Sequence, residues 1–411
     1  MSIPPPYRRQ PDAARGELEM DNVRLGLIGA GGNMAGAHQR YFKDIPGLEY
    51  AAASDIDADA LERVKKEFGP SHTFTDAKAM IDSGEIDAVM IACPHFDHPV
   101  FSEYAFERGV HVLCEKPVAV TAHAAAATNA AYDAAKAKHP GLLYAGMFNQ
   151  RTHADWKLIK RYLTDGTIGE IMRVSWTITS WFRSQAYYNS GGWRATWSGE
   201  GGGVLINQCP HNLDLFTWWF GLPKKVIALA ELGKYHDIEV EDEVSALVQF
   251  ENGATGTFIT STAQTPGINR IEIVGEHATL IRDDNDFILK KTHQGVRDFI
   301  HSTPNRFGDI TVDEHHIKVG GDSPGHKEIT RNFIATILGN DDKLIAPATE
   351  GIHGLEFGNA MLLSGLEDNR PIELPMDRPA YAAKLEELQA NSTYVKPEVK
   401  DTGPVAMGSS F

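Results

Sequence analysis

The chain has little cysteine and no long apolar run near its start. Its three cysteines, Cys93, Cys114 and Cys209, are widely separated among 411 residues. That spacing excludes a disulfide framework and a cysteine-rich zinc site, and a reducing cytoplasm is the expected location. Residues 1–21 are polar and rich in proline, and they lack the apolar segment of a signal peptide or membrane anchor, so they predict a flexible arm.

Positive charge is also scarce. Lysine and arginine total 39 against 55 for aspartate and glutamate, which gives a formal net charge of −16, and no basic cluster interrupts the chain. Binding to nucleic acid or to an anionic membrane requires concentrated positive charge, so neither partner is expected. The length favours two domains, each large enough to bury a core.

A glycine-rich turn follows the first apolar strand. The run VRLGLIGAGGNMAG starts at Val23 and matches two of the three glycines of a GxGxxG pattern. Glycines at such a turn let the backbone approach a dinucleotide pyrophosphate at a helix N-terminus. This partial match predicts pyrophosphate contacts from Gly29, Gly31, Gly32, Asn33 and Met34, with Met34 at the third glycine position.

A second apolar strand, at residues 48–54, ends in Asp55. An acid at that place binds ribose hydroxyls in dinucleotide-binding folds, and its charge repels the additional phosphate of NADP. No arginine occurs among residues 54–60, so the sequence predicts NAD rather than NADP. The alternative role for Asp55 is a simple cap for the helix that follows.

The pattern of apolar residues divides the chain into domains. Short strands alternate with helices over residues 22–148 and predict an NAD-binding Rossmann domain with a doubly wound parallel sheet. Residues 149–375 contain long alternating segments, which predict an α/β domain for substrate binding with a large open, mostly antiparallel sheet and a polar loop at about 295–325. Residues 376–411 form a C-terminal extension that we expect to be disordered from about Asn391 or to wrap a neighbour.

Ligands in such sheets lie beyond the carboxyl ends of the strands, and Lys116 directly follows one of those ends. A lysine there can bind a substrate hydroxyl, and its charge favours the alkoxide that forms as hydride departs. Partial burial would lower its pKa, whereas the alternative is a solvated surface lysine. The same rule predicts cofactor contacts from other residues that follow strands, together with a nearby histidine: Pro94, His95, His98, Glu115, Lys116 and Gln150.

The segment GGGVLINQCPHNLDL, at residues 201–215, contains the best proton acceptor of the chain, His211. Proline is tolerated in the first helical turn, so Pro210 predicts a helix that starts near Asn207. Asn207, His211 and Asp214 then share one helix face. The alternatives are a structural histidine and a helix cap at Asn207, but the adjacent glycines let backbone approach a ligand and favour a functional role.

Two further patterns remain: the first allows two interpretations, and the second does not predict a metal site. Aromatic residues are dense between Trp176 and Trp197 compared with 9% over the whole chain. Such a stretch can stack on sugar rings or form a subunit interface, and both alternatives remain. His95 and His98 have an HxxH spacing, but no third and fourth ligand accompanies them, so no metal is expected.

Four motifs together resemble the Gfo/Idh/MocA oxidoreductases, which include glucose-fructose oxidoreductase and inositol dehydrogenase. They are GAGGNMAGAH at residues 29–38, SDI at 54–56, CEKP at 114–117 and the His211 segment, and the resemblance extends over about residues 22–370. It implies action on hydroxyls of sugars, cyclitols and related pyranosides. It also implies a homodimer or homotetramer through the sheet of the second domain.

The resemblance implies a role for each matching residue. Lys116 and His211 match the catalytic pair, and Trp193 and Arg194 match residues near the nicotinamide. Many members carry aspartate where this chain has Asn207; an amide can orient His211 but cannot raise its basicity, which puts the proton relay in doubt. The expected substrate-binding residues are Asp214, Asn207, Trp193 and Tyr188.

The expected reaction is oxidation of a ring hydroxyl to a ketone, or the reverse reduction, by an NAD(P)-dependent oxidoreductase that uses NAD. In a second hypothesis, retained NAD oxidises a glycoside transiently, its glycosidic group is eliminated, and the cofactor is regenerated. In a third, NAD binding serves only as a sensor or scaffold.

Overall fold

The computed structural model describes residues 21–397 except Asn285 and Asp322. The predicted arm lies outside the described residues apart from Asp21, and so does the end of the predicted C-terminal extension. None of the described helices is both long enough and apolar enough to cross a bilayer.

Six of the described strands form a parallel sheet near the start of the chain. They are β1 (Val23–Ile28), β2 (Leu48–Ser54), β3 (His72–Phe74), β4 (Ala88–Ile91), β5 (His111–Cys114) and β6 (Tyr144–Gly146). Their order is β3-β2-β1-β4-β5-β6, so the strand order reverses between β1 and β4. The crevice beyond the carboxyl ends of such neighbouring strands is where open parallel sheets bind ligands. The predicted Rossmann sheet is confirmed.

The connecting helices are α1 (Asn33–Phe42), α2 (Ala58–Phe68), α3 (Ala77–Asp82), α4 (Asp97–Glu107) and α5 (Ala122–Lys136). Side-chain caps fix three of their starts, because Asp57 accepts N–H groups at α2, Asp76 accepts one at α3 and Thr121 accepts one at α5. β3 and α3 are missing from the predicted elements, since three and six residues are too few for a periodic pattern.

A second sheet of nine strands lies in the later part of the described chain. It contains β7 (Ile171–Ile178), β8 (Lys225–Leu232), β9 (Glu241–Gln249), β10 (Thr255–Ser261), β11 (Asn269–Gly275), β12 (Ala278–Asp283), β13 (Asp286–Thr292), β14 (Val312–Ile317) and β15 (Ile372–Glu373). The order is β14-β13-β12-β11-β7-β10-β9-β8-β15. Only β7 and β10 pair in parallel, which confirms the prediction of a mostly antiparallel sheet.

The remaining helices are α6 (Ala154–Thr164), α7 (Gln185–Asn189), α8 (Pro210–Phe220), α9 (Val296–Ser302), α10 (Gly325–Ile337), α11 (Gly351–Leu366) and α12 (Arg378–Asn391). The predicted polar loop is therefore wrong in part, because α9 and β14 lie within it. Both have almost wholly exposed residues, so no buried face marks them in the sequence.

Each sheet has its own apolar core, and helix α10 joins the core of the first sheet. Ile329, Phe333 and Ile334 of α10 are buried there with strand residues such as Leu25 and Val112. The first core is therefore completed by residues far along the chain.

The described end of the C-terminal extension bonds to its own chain. The Tyr394 hydroxyl donates to the carbonyl of Asp237 at 2.8 Å, and Lys396 Nζ donates to the carbonyl of Arg194 at 2.7 Å. These contacts replace the expected disorder or contact with a neighbour over residues 392–397, and they place the segment beside the predicted site.

Candidate active site

The glycine turn after β1 presents bare backbone at the start of α1. Gly29 has φ of +76°, and a Cβ there would lie 2.7 Å from the carbonyl oxygen of Ala92, so the position requires glycine. Gly31, Gly32 and Asn33 are exposed, and the first turn of α1 contains no acidic residue. The positive end of a helix without acidic residues binds phosphate, so the turn fits a dinucleotide pyrophosphate.

Asp55 lies directly beside this turn. Its Oδ2 accepts the N–H of Gly31 at 2.8 Å, and its Oδ1 accepts the N–H of Asp57 at 3.0 Å. The cap of α2 is Asp57, which accepts N–H groups at 2.9 and 3.2 Å, so the alternative role for Asp55 as that cap is wrong. Asp55 thus links the glycine turn to the end of β2, where a ribose would lie.

The loops after β4 and β5 are joined by His98. One of its ring nitrogens lies 2.7 Å from the carbonyl oxygen of Pro117, and the other lies 2.9 Å from that of Cys93. Because both nitrogens contact the protein backbone, the predicted cofactor contact of His98 is not supported. Pro94 is exposed, and buried His95 packs edge-on against Trp193 with ring centroids 5.3 Å apart.

Glu115 and Lys116 point to different partners. One oxygen of buried Glu115 lies 2.6 Å from His38 Nε2, and the other accepts the N–H of Lys116 at 3.0 Å. Burial raises the pKa of Glu115, but the bond and charge of His38 outweigh it and lower that pKa to about 2. Glu115 therefore holds its loop in place, whereas Lys116 Nζ reaches across to the carbonyl of Asn207 at 3.0 Å.

Helix α8 starts at Pro210, three residues later than predicted. Asn207 therefore lies in the preceding turn, where its N–H donates to the carbonyl of Gly203 at 3.0 Å. His211 follows in the first turn of the helix, and it is buried. The Lys116 ammonium and the His211 imidazole are thus both at the start of α8.

The surroundings of the His211 imidazole favour its neutral form. Burial, followed by the charge of Lys116, places its pKa well below the ordinary value, and the positive end of α8 acts in the same direction. Burial also lowers the pKa of Lys116. His211 Nδ1 has no hydrogen-bond partner among the described residues, and the same holds for Gln150 Oε1 and Gln208 Oε1. Buried polar atoms of this kind indicate a bound polar molecule.

Two models of one family match the chain. An oxidoreductase family model with an NAD-binding Rossmann fold matches residues 23–142, and the GFO/IDH/MocA C-terminal domain matches residues 156–281. The two matches together cover more than half of the sequence. The chain belongs to the GFO/IDH/MocA oxidoreductase family.

This GFO/IDH/MocA oxidoreductase is similar to levoglucosan dehydrogenase of Pseudarthrobacter phenanthrenivorans, with 28% identity over 64% of this chain and 74% of the relative. It is 26% identical to myo-inositol 2-dehydrogenase of Thermotoga maritima over 64% of this chain and 75% of that protein. The crystal structure of the WlbA dehydrogenase of Chromobacterium violaceum, solved with NADH and UDP-GlcNAcA, has a TM-score of 0.72 and 26% identity over 89% of this chain and all of that one. The family and fold agree on an enzyme whose first domain binds NAD.

Asp214 of the oxidoreductase is fully engaged by another side chain. Its two oxygens accept from Arg151 at 2.6 and 2.8 Å, and both side chains are buried. Arg151 also donates to Glu350 at 2.5 Å. The predicted substrate contact of Asp214 is not supported by these bonds, which instead fix α8 to the segment after β6.

Tyr188 is turned away from the site, and its neighbour Tyr187 is turned toward it. The Tyr188 hydroxyl donates to Thr262 Oγ1 at 2.8 Å inside the second core. The Tyr187 oxygen accepts from Arg194 at 2.8 Å and from Gln208 at 3.1 Å. The predicted substrate contact of Tyr188 is therefore not supported. Density of aromatic residues alone cannot show which of two adjacent tyrosines faces a ligand.

The aromatic stretch divides between core and site. Trp176 and Trp197 are buried in the second core, whereas Trp193 is partly exposed and its ring lies 4.6 Å from the Arg194 guanidinium. Arg194 also covers the ring of Tyr187 at 4.7 Å. Trp193 thus lies between His95 and Arg194, and the place of Trp193 and Arg194 near the nicotinamide stays a prediction.

Besides Tyr187, two further residues of the site are absent from the sequence-based prediction. Glu200 is buried, and one of its oxygens accepts from the side-chain amide of Asn207. His326 comes from α10; its Nδ1 lies 3.2 Å from Asn149 Nδ2, and its ring centroid is 5.5 Å from that of His38. Glu200 directly precedes the glycine-rich segment at 201–215, but nothing in the sequence shows that it turns back to Asn207, and His326 is distant in sequence from every motif. Among the described residues no group of histidine, cysteine and carboxylate side chains could hold a metal ion.

Replacing Asp55 by alanine is expected to weaken NAD binding by about 10- to 100-fold, because charged hydrogen bonds to the ribose are lost. The preference for NAD over NADP should fall as well, since the repelling charge is gone. Calorimetric titration with both cofactors measures the change. Asp57→Ala is the matched control: it removes the cap of α2 at a cost of about 1 kcal/mol and should leave the cofactor ratio unchanged. Equal effects of both substitutions would contradict the role of Asp55.

Proposed function

We propose that this enzyme oxidises a ring hydroxyl of a sugar, glycoside or cyclitol to a ketone, or catalyses the reverse reduction. The observation that supports this most is the meeting of a neutral imidazole, His211, and an ammonium, Lys116, at the start of α8. A proton acceptor and a cation around one alcohol oxygen are the groups that dehydrogenation of an alcohol needs.

The two residues have separate tasks in this proposal. Neutral His211 takes the hydroxyl proton, and Lys116 donates a hydrogen bond to the same oxygen and offsets its growing negative charge. Bound NAD supplies the hydride acceptor. Trp193 and His95 shield that side of the cleft from water, and the bond between Lys116 Nζ and the carbonyl of Asn207 keeps the ammonium beside α8 before substrate binds.

The names of several relatives support cyclic polyols as the substrate class. They are levoglucosan dehydrogenase, myo-inositol 2-dehydrogenase and, in Escherichia coli, D-glucoside 3-dehydrogenase with 26% identity over 56% of this chain and 68% of its own length. The residues around the site can donate and accept hydrogen bonds. Such groups suit a neutral polyol as the substrate.

A panel of sugars, glycosides and cyclitols tests the proposal. Each compound is incubated with the enzyme and NAD or NADP while the absorbance of reduced cofactor is followed. We expect NADH formation with at least one ring polyol and a smaller response with NADP. Glycoside cleavage without net NADH would support the hypothesis of transient oxidation instead. No reaction with any compound despite bound NAD would support a role as a sensor or scaffold.

We also propose that the open face of the second sheet forms the subunit contact of a homodimer or homotetramer. Leu247 of β9 and Leu229 of β8 are 60% and 51% exposed on that sheet. Ile227 pairs directly with Leu247, so apolar side chains from neighbouring strands occupy one face. A surface of this kind favours association with a second protein surface.

A further inference from the structure

Glu200 is a buried carboxylate that has no role in the proposed oxidation by His211 and Lys116. It is 1% exposed. One carboxylate oxygen accepts the N–H of Ala195 at 2.6 Å, and the other accepts from the side-chain amide of Asn207. No lysine or arginine among the described residues forms an ion pair with it. A buried carboxylate without a directly paired cation is costly, so its retention beside the site requires a reason.

Asn207 connects this carboxylate to the reacting groups. Its side-chain amide donates to Glu200, while its backbone carbonyl accepts from Lys116 Nζ at 3.0 Å. His211 lies one helical turn further along the chain. A negative charge at Glu200 therefore acts on the ammonium through a single intervening residue.

A purely structural role is the alternative. Ala195 has φ of +57°, a left-handed conformation that is unfavourable for alanine. The bond from its N–H to Glu200 stabilises that turn, and the turn carries Trp193 and Arg194. Glu200 could then be needed only to hold the conformation of this loop. The experiment must distinguish that structural role from an effect of the Glu200 charge on Lys116.

We propose that Glu200 is a positioning residue that, through Asn207, holds the Lys116 ammonium in place and keeps it protonated during the oxidation. This inference rests on the proposed function of the site. The negative charge stabilises the ammonium, which in turn stabilises the substrate oxygen as the proton leaves.

Several titratable or charged groups face Glu200 from different elements. Burial raises the pKa of Glu200 to about 6, against the opposing charges of Arg194 and Lys116. Glu200 in turn raises the pKa of Lys116, whose burial acts in the opposite direction. The groups around it are Lys116 after β5, Tyr188 on α7, Arg194 in the aromatic loop, Glu241 on β9 and Lys396 in the C-terminal segment.

Glu200→Gln removes the charge and keeps both hydrogen bonds. The new amide oxygen can accept from Ala195, and the new NH₂ group can donate to Asn207 once the Asn207 amide turns over. Without the negative neighbour the pKa of Lys116 should fall, so the alkaline limb of kcat/KM moves to lower pH. The acid limb near the Glu200 pKa of about 6 should disappear, and kcat/KM at pH 7.5 should fall by about tenfold.

The double variant Glu200→Gln/Asn207→Asp provides the decisive comparison. The new carboxylate at position 207 accepts a hydrogen bond from the new amide at position 200. One negative charge is thus restored beside Lys116, so we expect the alkaline limb to return to its original pH and most of the activity to return. Asn207→Asp alone places two buried carboxylates in contact and should raise the pKa of one of them and lower the melting temperature. Glu241→Gln is the control, because Glu241 is also buried but accepts from backbone N–H groups of Gly203 and Leu205. It should lower the melting temperature and leave the alkaline limb, which reports Lys116, in place.

The pKa of Lys116 can also be measured without turnover. Reductive methylation with ¹³C-formaldehyde followed by NMR titration reports each lysine, and Lys116→Met identifies the signal. A lower pKa in Glu200→Gln that returns in the double variant supports the positioning role even if the polyol panel shows no reaction. An unchanged pKa, or a double variant that behaves like Glu200→Gln, would overturn the inference and leave the loop-shaping role.

Discussion

Lys116→Met is expected to lower kcat for ring-hydroxyl oxidation by about 10²- to 10⁴-fold, which is the range for loss of a group that stabilises charge or transfers a proton in the transition state. Methionine has a similar length but no charge and no N–H donor. The alkoxide that forms as the proton leaves then has no cation beside it. Steady-state and single-turnover kinetics with the best substrate of the panel measure the effect.

Lys160→Met is a matched control for this substitution. Lys160 is also partly buried, its pKa is also lowered by burial, and its Nζ also donates to one backbone carbonyl, that of Trp218. It lies on α6, away from the start of α8. We expect both variants to lose about 1 kcal/mol of stability from the lost hydrogen bond, and only Lys116→Met to lose turnover. A Lys116→Met enzyme with nearly full kcat would contradict the role of Lys116 as the cation that stabilises the substrate oxygen.

His211→Ala is expected to lower kcat by a similar factor of about 10²–10⁴, because it removes the imidazole that takes the hydroxyl proton in the proposed reaction. The lost imidazole leaves a space beside Lys116, and added imidazole should restore part of the rate. Restoration should grow with pH as added imidazole becomes neutral. Titration of the variant with imidazole at several pH values measures this.

The pH profile of the unmodified enzyme provides a second check on His211. Burial and the Lys116 charge lower its pKa well below the usual value, so it stays neutral and competent as pH falls through the ordinary histidine range. Loss of oxidation near pH 6.5 that persists in Glu200→Gln would contradict a neutral His211. A His211→Ala enzyme that imidazole cannot restore, with unchanged NAD binding, would place the base elsewhere.

Local patterns predict most of the first domain. Strands β1, β2 and β5 are mostly apolar runs followed by the glycine turn, by Asp55 and by the Glu115-Lys116-Pro117 turn, and helices α2 and α5 start at capping residues. Such signals are contained within a few neighbouring residues, so sequence alone shows them. The same reasoning places Gly29, Gly31, Asp55 and Lys116 at one edge of the sheet, where the structure has them.

The parts of the site that the sequence does not show depend on distant partners. Arg151 is 63 residues from Asp214, and nothing in the spacing of α8 indicates that it occupies both carboxylate oxygens. His326 reaches His38 from a helix late in the chain. A spacing rule reports which residues share a helix face, but the partner on that face is set by tertiary packing.

Glu200 shows a different limit. It lies only seven residues from Asn207, but the segment between them is neither a helix nor a strand, because the three glycines form an irregular turn in which Gly201 has φ of +82°. The sequence shows that Asn207 stands where many family members have aspartate. That the Asn207 amide donates to the Glu200 carboxylate can be seen only in the folded turn.

The burial of α10 against the first sheet has a consequence for how the polypeptide is made. Ribosomes deliver the six parallel strands early, but Ile329, Phe333 and Ile334 of their core are delivered only after strands β7 to β14 of the second sheet. The nascent first domain must therefore expose that apolar surface while more than half of the remaining chain is translated. A fragment ended after β6 would keep the surface exposed, so it is a poor unit for separate expression or for grafting onto another protein.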